Sequence, residues 1–173
     1  RTALIALGAV GAAGAAAAVW GTSVERFLFT VRTHTVAILP PGAPAIRVLH
    51  LSDLHMAPWQ RAKQRWVAGL GDLRPDLIVN TGDNLGHPEG LDGVRAALSA
   101  FGGIPGVFVH GSNDVHAPAP RNPFRYFTGP SKRHVREERI DTDALDRFLR
   151  DDLGWRDLNN AASSIDVAGL RVG

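Results

Sequence analysis

Three short polar segments carry the side chains in this chain that can do chemistry together: Asp53-Leu54-His55, Gly82-Asp83-Asn84 and Gly111-Ser112-Asn113-Asp114. Asp53 and His55 are two residues apart, so an extended chain there turns both side chains to one face, where they grip one ion. Asp83 follows a glycine, which lets the backbone turn sharply and frees the carboxylate to bridge two ions. Asn113 adds a neutral carbonyl oxygen for the second ion. With no cysteine in the chain, disulfides, thiolate zinc sites and thiol nucleophiles are excluded. The remaining donors are oxygen and imidazole nitrogen, a set suited to Mn, Fe, Zn or Mg. Two such ions about 3.5–4 Å apart clamp a phosphoryl oxygen and lower the pKa of a water from about 15.7 towards about 7. The result is a hydroxide aimed in line at phosphorus.

The elements that must position these residues are visible around them. Each polar segment follows an apolar run rich in β-branched residues: Ile46-Arg47-Val48-Leu49-His50, Leu77-Ile78-Val79 and Val107-Phe108-Val109. The intervals 56–81 and 84–110 are nearly equal in length, which is the repeat of a βα unit. In an open parallel sheet the carboxyl ends of the strands share one crevice, where such folds bind ligands. Trp59, Ala62, Trp66, Leu70 and Leu73 sit at helical spacing ahead of Pro75, and the tryptophans are read as core. Leu91, Val94, Leu98 and Phe101 make a second stripe, ended by Gly102-Gly103. A third helix is predicted over 142–153, with Asp141 or Thr142 as N-cap and Gly154 as its stop. Beyond it, Trp155–Asn159 and Ser163–Val172 predict two strands joined as a hairpin around Asn160-Ala161-Ala162.

The composition, 45% hydrophobic and 21% charged over 173 residues, is that of a globular domain with a core. The net charge of +2 gives no basis for specific nucleic-acid binding. Ala3–Trp20 carries no charged or strongly polar group and reads as an uncleaved signal anchor or a cleaved signal peptide, covering 1–22. Residues 23–45 are a lead-in: Val24–Leu39 alternates and is β-branched, predicting an edge strand, and Pro40-Pro41-Gly42-Ala43-Pro44 forms the linker. The stretch between Val115 and Ile140 is rich in proline and basic residues, and is read either as a substrate-facing lid or as a solvated loop. His50 and His110 stand at strand ends, as partners of the ligands or as packed histidines. His87 reaches towards substrate phosphate, Asn84 shapes the turn beside the same subsite, and His34 is a surface residue.

In this order and spacing, D-x-H, G-D-x and G-x-N resemble the motifs of the calcineurin-like metallophosphoesterase superfamily, over roughly Arg47 to Asp114. The apolar N-terminus is similar to that of the membrane-associated bacterial branch. The resemblance implies an α/β, layered αββα-type fold, here its N-terminal part over 46–173, preceded by a hydrophobic helix. It implies two divalent ions, Mn, Fe or Zn, with Asp53 and His55 on the first, Asp83 bridging and Asn113 on the second. It implies hydrolysis of phosphoric esters, phosphodiester or phosphomonoester, with further metal-binding histidines expected downstream of Gly173 and this portion alone inactive. The family places a histidine after the asparagine, where this chain has Asp114. Near two cations a carboxylate's pKa falls, so Asp114 is expected to act by orienting a group such as His116. A membrane tether with a basic loop suits an anionic lipid or cell-envelope phosphoester, and a nucleotide fits the same chemistry. The competing reading is a catalytically silent, membrane-tethered binding protein. A Rossmann-type nucleotide site is disfavoured, because Ser52-Asp53-Leu54-His55 stands where G-x-G-x-x-G belongs.

Overall fold

The structure, a computed structural model, describes residues 1–116 and 142–173. Beyond His116, the basic stretch expected as lid or loop lies outside them. The chain divides into two compact units, residues 1–37 and 38–173. The first is dominated by helix α1 (Thr2–Ser23), which buries none of its residues. Its apolar residues surround the whole circumference, as suits a lipid environment rather than a one-sided core contact. With a mean hydropathy of 1.9 over its most apolar window and a rise of about 1.5 Å per residue, it is long and apolar enough to cross a bilayer. Membrane anchors and signal sequences share that property.

The edge strand expected over Val24–Leu39 does not form. Glu25–Phe27 is a single 3-10 turn, and the residues after it run without strand pairing. Alternation alone does not make a strand; a partner ladder does, and no described strand pairs with this segment.

In the second unit, β1 (Val48–Leu51), β2 (Leu77–Asn80), β3 (Gly106–Phe108) and β4 (Arg156–Asp157) form one sheet in the order β1-β2-β3-β4. Every pairing in it is parallel, with Val48 opposite Leu77, Ile78 opposite Gly106 and Val107 opposite Arg156. This is the expected mixed α/β architecture. α2 (Arg61–Gly69) and α3 (Leu91–Leu98) are the crossovers, each tightening into a 3-10 turn, at Leu70–Leu73 and Ser99–Phe101. α4 (Ser112–Val115) is a single turn, and α5 (Thr142–Arg147) runs into a π-helical turn, Phe148–Asp152, before Gly154. The core gathers Met56, Val67, Ile78, Leu85, Leu98, Phe101, Phe108, Leu149 and Trp155.

Two expectations are corrected here. Trp59 is not core: it is 68% exposed, because α2 begins only at Arg61 and its inward stripe is Gln64, Val67 and Leu70. The hairpin is also displaced. β4 joins the parallel sheet, and Asn159 after it is drawn back to accept the His110 N–H at 2.8 Å. The antiparallel pair is instead β5 (Ile165–Val167) with β6 (Leu170–Val172), closed by Ala168 and Gly169. Both turn residues have positive φ, 48° and 80°, the conformation of a tight hairpin turn.

Trp155 ties the sheet to the π-helical turn, its backbone N–H donating to Leu149 O at 2.9 Å. It is 1% exposed, and its indole packs so closely on Gly106 that a Cβ there would overlap it. Its Nε1 is buried without a hydrogen-bond partner among the described residues. Trp155→Ala is expected to cost about 3–5 kcal/mol, read by urea unfolding with an unchanged m-value. Trp155→Phe should cost less, since it keeps an aromatic ring in the core and removes the unpaired N–H. Equal losses for the two variants would contradict this packing.

Candidate metal centre

The three polar segments meet at the carboxyl end of the sheet. Leu54 is buried while Asp53 and His55 on either side of it face outward, so the expected alternation holds. The backbone, however, is not extended. Asp53, His55 and Asp83 all adopt left-handed φ values, 54°, 40° and 53°. Such strain costs roughly 1–3 kcal/mol per residue and persists only where the surroundings enforce it. Here the enforcement is a continuation of the sheet. Asp53 N–H donates to Gly82 O at 3.0 Å, His55 N–H to Asp83 O at 2.9 Å and Met56 N–H to Asn84 O at 2.7 Å. Met56 and Leu85 then form a parallel bridge beyond the ends of β1 and β2. Gly82, at φ 88°, lies so close to the Gly111 backbone that any side chain there would collide with it.

This welding brings the predicted ligands together. His55 Nε2 stands 3.8 Å from Asp53 Oδ1 and 3.7 Å from Asp83 Oδ2. One donor atom from each of Asp53, His55 and Asp83 lies within 4.8 Å of the others. Donors held about 2.1 Å from one ion stand about 3–3.5 Å apart, so a small contraction closes this triad around a divalent cation. Asn113 completes the ring. Its backbone N–H donates to Asp83 Oδ1 at 2.9 Å, and its side-chain nitrogen lies 3.1 Å from Asp83 Oδ2 and 3.2 Å from His55 Nδ1. A cation calls for the carboxamide oxygen in that place, reached by a half-turn of the amide. The site opens to solvent in steps: the side chains of Asp53, His55 and Asp83 are 66%, 41% and 20% exposed.

Asp114 and Asn84 lie beneath the cluster, not in it. Asp114 is 0% exposed. Its carboxylate accepts the backbone N–H groups of Asn84 at 2.7 Å, Leu85 at 3.1 Å and Gly111 at 3.1 Å. It therefore anchors the second and third loops from beneath. The histidine it approaches is His110, at 4.0 Å, not His116. His116 Nδ1 is buried without a hydrogen-bond partner among the described residues, and His110 Nε2 lies 2.7 Å from Asp146 on α5. Asn84 is also fully buried. It exchanges side-chain hydrogen bonds with Asn80 at 2.8 and 3.2 Å and donates to Asp114 at 3.3 Å. It shapes the turn from beneath, as its hydrogen bonds to Asn80 and Asp114 require.

Sequence reading passed over two supporting residues. Asn80 pins Gly82 by accepting its N–H at 2.9 Å; its signal was a lone amide at the end of the apolar run Leu77-Ile78-Val79. Lys63, on α2, donates to Leu54 O at 2.7 Å inside the first ligand loop, and partial burial lowers its pKa from the ordinary lysine value. His50 packs on Thr81, with Nε2 2.9 Å from its hydroxyl. His87 is half-buried beside Trp59, ring centroids 5.0 Å apart.

If Asp114 anchors the ligand loops, Asp114→Asn removes a charge from three amide hydrogen bonds while keeping the shape. It should lower stability by about 1–3 kcal/mol and Mn²⁺ affinity by about 10–100-fold, read by chemical denaturation and calorimetric titration. Unaltered metal affinity in a destabilised variant would contradict the anchoring role.

Comparison with known proteins agrees with this geometry. The family model described as calcineurin-like phosphoesterase matches residues 46–167, most of the chain and all three ligand-bearing loops. No curated protein and no solved structure matches the chain. The parallel sheet and the apolar N-terminal helix are consistent with part of a metallophosphoesterase fold. The loops, their donors and the matched span agree, and the chain belongs to the calcineurin-like phosphoesterase family.

Proposed function

We propose that the protein hydrolyses phosphoric esters, with Asp53, His55 and Asp83 holding a divalent ion and Asp83 shared with a second ion that also uses Asn113. The observation that carries this reading is the convergence of Asp53, His55 and Asp83, within 4.8 Å, at the open end of a parallel sheet. Divalent ions held there would supply Lewis acidity towards a phosphoryl oxygen and lower the pKa of a water towards neutrality. The donor set, carboxylate, imidazole and carboxamide, suits Mn, Fe or Zn. Asp83, the least exposed of the three side chains, is held by the Asn113 N–H, which supports a bridging role for it. His87 offers a nitrogen donor at the rim to a phosphate oxygen. Residues 46–173 are then the hydrolase portion, and α1 tethers it to a membrane or directs its export. The substrate fitting that setting is a phosphoester of the cell envelope, lipid- or nucleotide-linked.

With Mn²⁺, the full-length protein should hydrolyse bis-p-nitrophenyl phosphate or p-nitrophenyl phosphate, lose that activity to EDTA and regain it on adding metal. Asp83→Asn should lower kcat by about 100-fold or more, since a metal's electrostatic contribution is worth several kcal/mol. Wild-type turnover in that variant would refute the bridging role. A silent binding protein, the reading suggested by Asp114 in place of the family histidine, would bind Mn²⁺ without turnover.

A further inference from the structure

We propose that Trp59 and His87 recognise the organic group of the ester, and that this group is a planar ring, aryl or nucleobase. The inference rests on the phosphoesterase reading and adds a substrate class to it. Trp59 is 68% exposed, a large apolar surface to leave in water. The two rings meet at 71° with their centroids 5.0 Å apart. They form a corner: a flat ring laid on one would meet the other edge-on, and aromatic groups favour both offset and edge-to-face contact. An alkyl chain in the same place gains buried area but not the ring-to-ring electrostatics.

The corner is built onto the ligand loops. Trp59 comes four residues after His55, and His87 four residues after Asp83. Gly86 donates its N–H to Met56 O at 2.9 Å, and it lies against the His55 backbone with no room for a Cβ. Gly90 N–H closes the turn on His87 O at 2.8 Å. The segment carrying His87 is thus fixed to the segment that runs from His55 to Trp59. His87 Nδ1 accepts the Glu89 N–H at 3.1 Å. A neutral imidazole accepting there carries its proton on Nε2, so Nε2–H remains the donor for the phosphate oxygen while the ring face meets the organic group.

The test is calorimetric titration of the Mn²⁺-loaded full-length protein with methylphosphonate, hexylphosphonate and phenylphosphonate, the last two matched in carbon number. Phenylphosphonate should bind about tenfold tighter than hexylphosphonate, the lower range of base–aromatic stacking. Trp59→Ala should bring phenylphosphonate to the affinity of methylphosphonate, while Trp59→Phe should retain a phenyl preference. Hexylphosphonate binding as tightly as phenylphosphonate would overturn the assignment in favour of an acyl chain. A phenyl preference that survives Trp59→Ala would overturn the role of Trp59. Hydrolysis of p-nitrophenyl esters without a phenyl preference removes the ring assignment alone. Failure of hydrolysis and of binding by all three phosphonates removes the phosphoesterase reading as well.

Discussion

The carboxylate of Asp114 is the constraint on which the ligand loops depend. It is fully buried, and it accepts the N–H groups of Asn84, Leu85 and Gly111. Hydrogen bonds to a charged acceptor are about twice as strong as neutral ones, and a buried charge without them is costly. The second and third loops therefore close on Asp114 together, and through Asp83 O and Asn84 O they capture the first loop. Only with this lattice in place do Asp53, His55 and Asp83 hold left-handed conformations. Their side chains converge because the backbone cannot relax. Preorganisation of this kind lets a metal bind donors already in place.

Beneath the lattice, polar side chains replace what the strands no longer supply. Asn80 and Asn84 pair with each other, Asn80 takes the Gly82 N–H, and Lys63 takes Leu54 O. Each satisfies a backbone or side-chain group at a point where the sheet ladder ends and unpaired polar groups would otherwise be buried. His110 extends the same network sideways, to Asp146 on α5 and Asn159 after β4. The charged cluster above stays open to water at Asp53 and closes at Asp83.

Much of this was legible in the sequence, for identifiable reasons. A strand buried in a parallel sheet reads as an apolar run, and a ligand at its end reads as an abrupt polar break, so Asp53, His55, Asp83 and Asn113 stand out. The helices were legible from their stripes, though not their first residues: α2 starting at Arg61 turns Trp59 from core to rim. The hydrogen bonds of Asp114 were not legible, because a carboxylate that binds backbone amides and one that faces solvent have the same neighbours in sequence. Only the fold shows that it points inward. The strand expected over Val24–Leu39 and the misplaced hairpin failed for a shared reason. Strand pairing is a contact between distant segments, and local alternation does not say which segments meet.

The most direct measurement is anomalous diffraction from crystals of the full-length protein grown with Mn²⁺, collected at the manganese edge. A peak within bonding distance of Asp53, His55 and Asp83, about 2.0–2.3 Å from each donor atom, is the expected result. Saturating Mn²⁺ with no peak among these three side chains, or with a peak only elsewhere, would contradict the metal centre from which the proposed function follows.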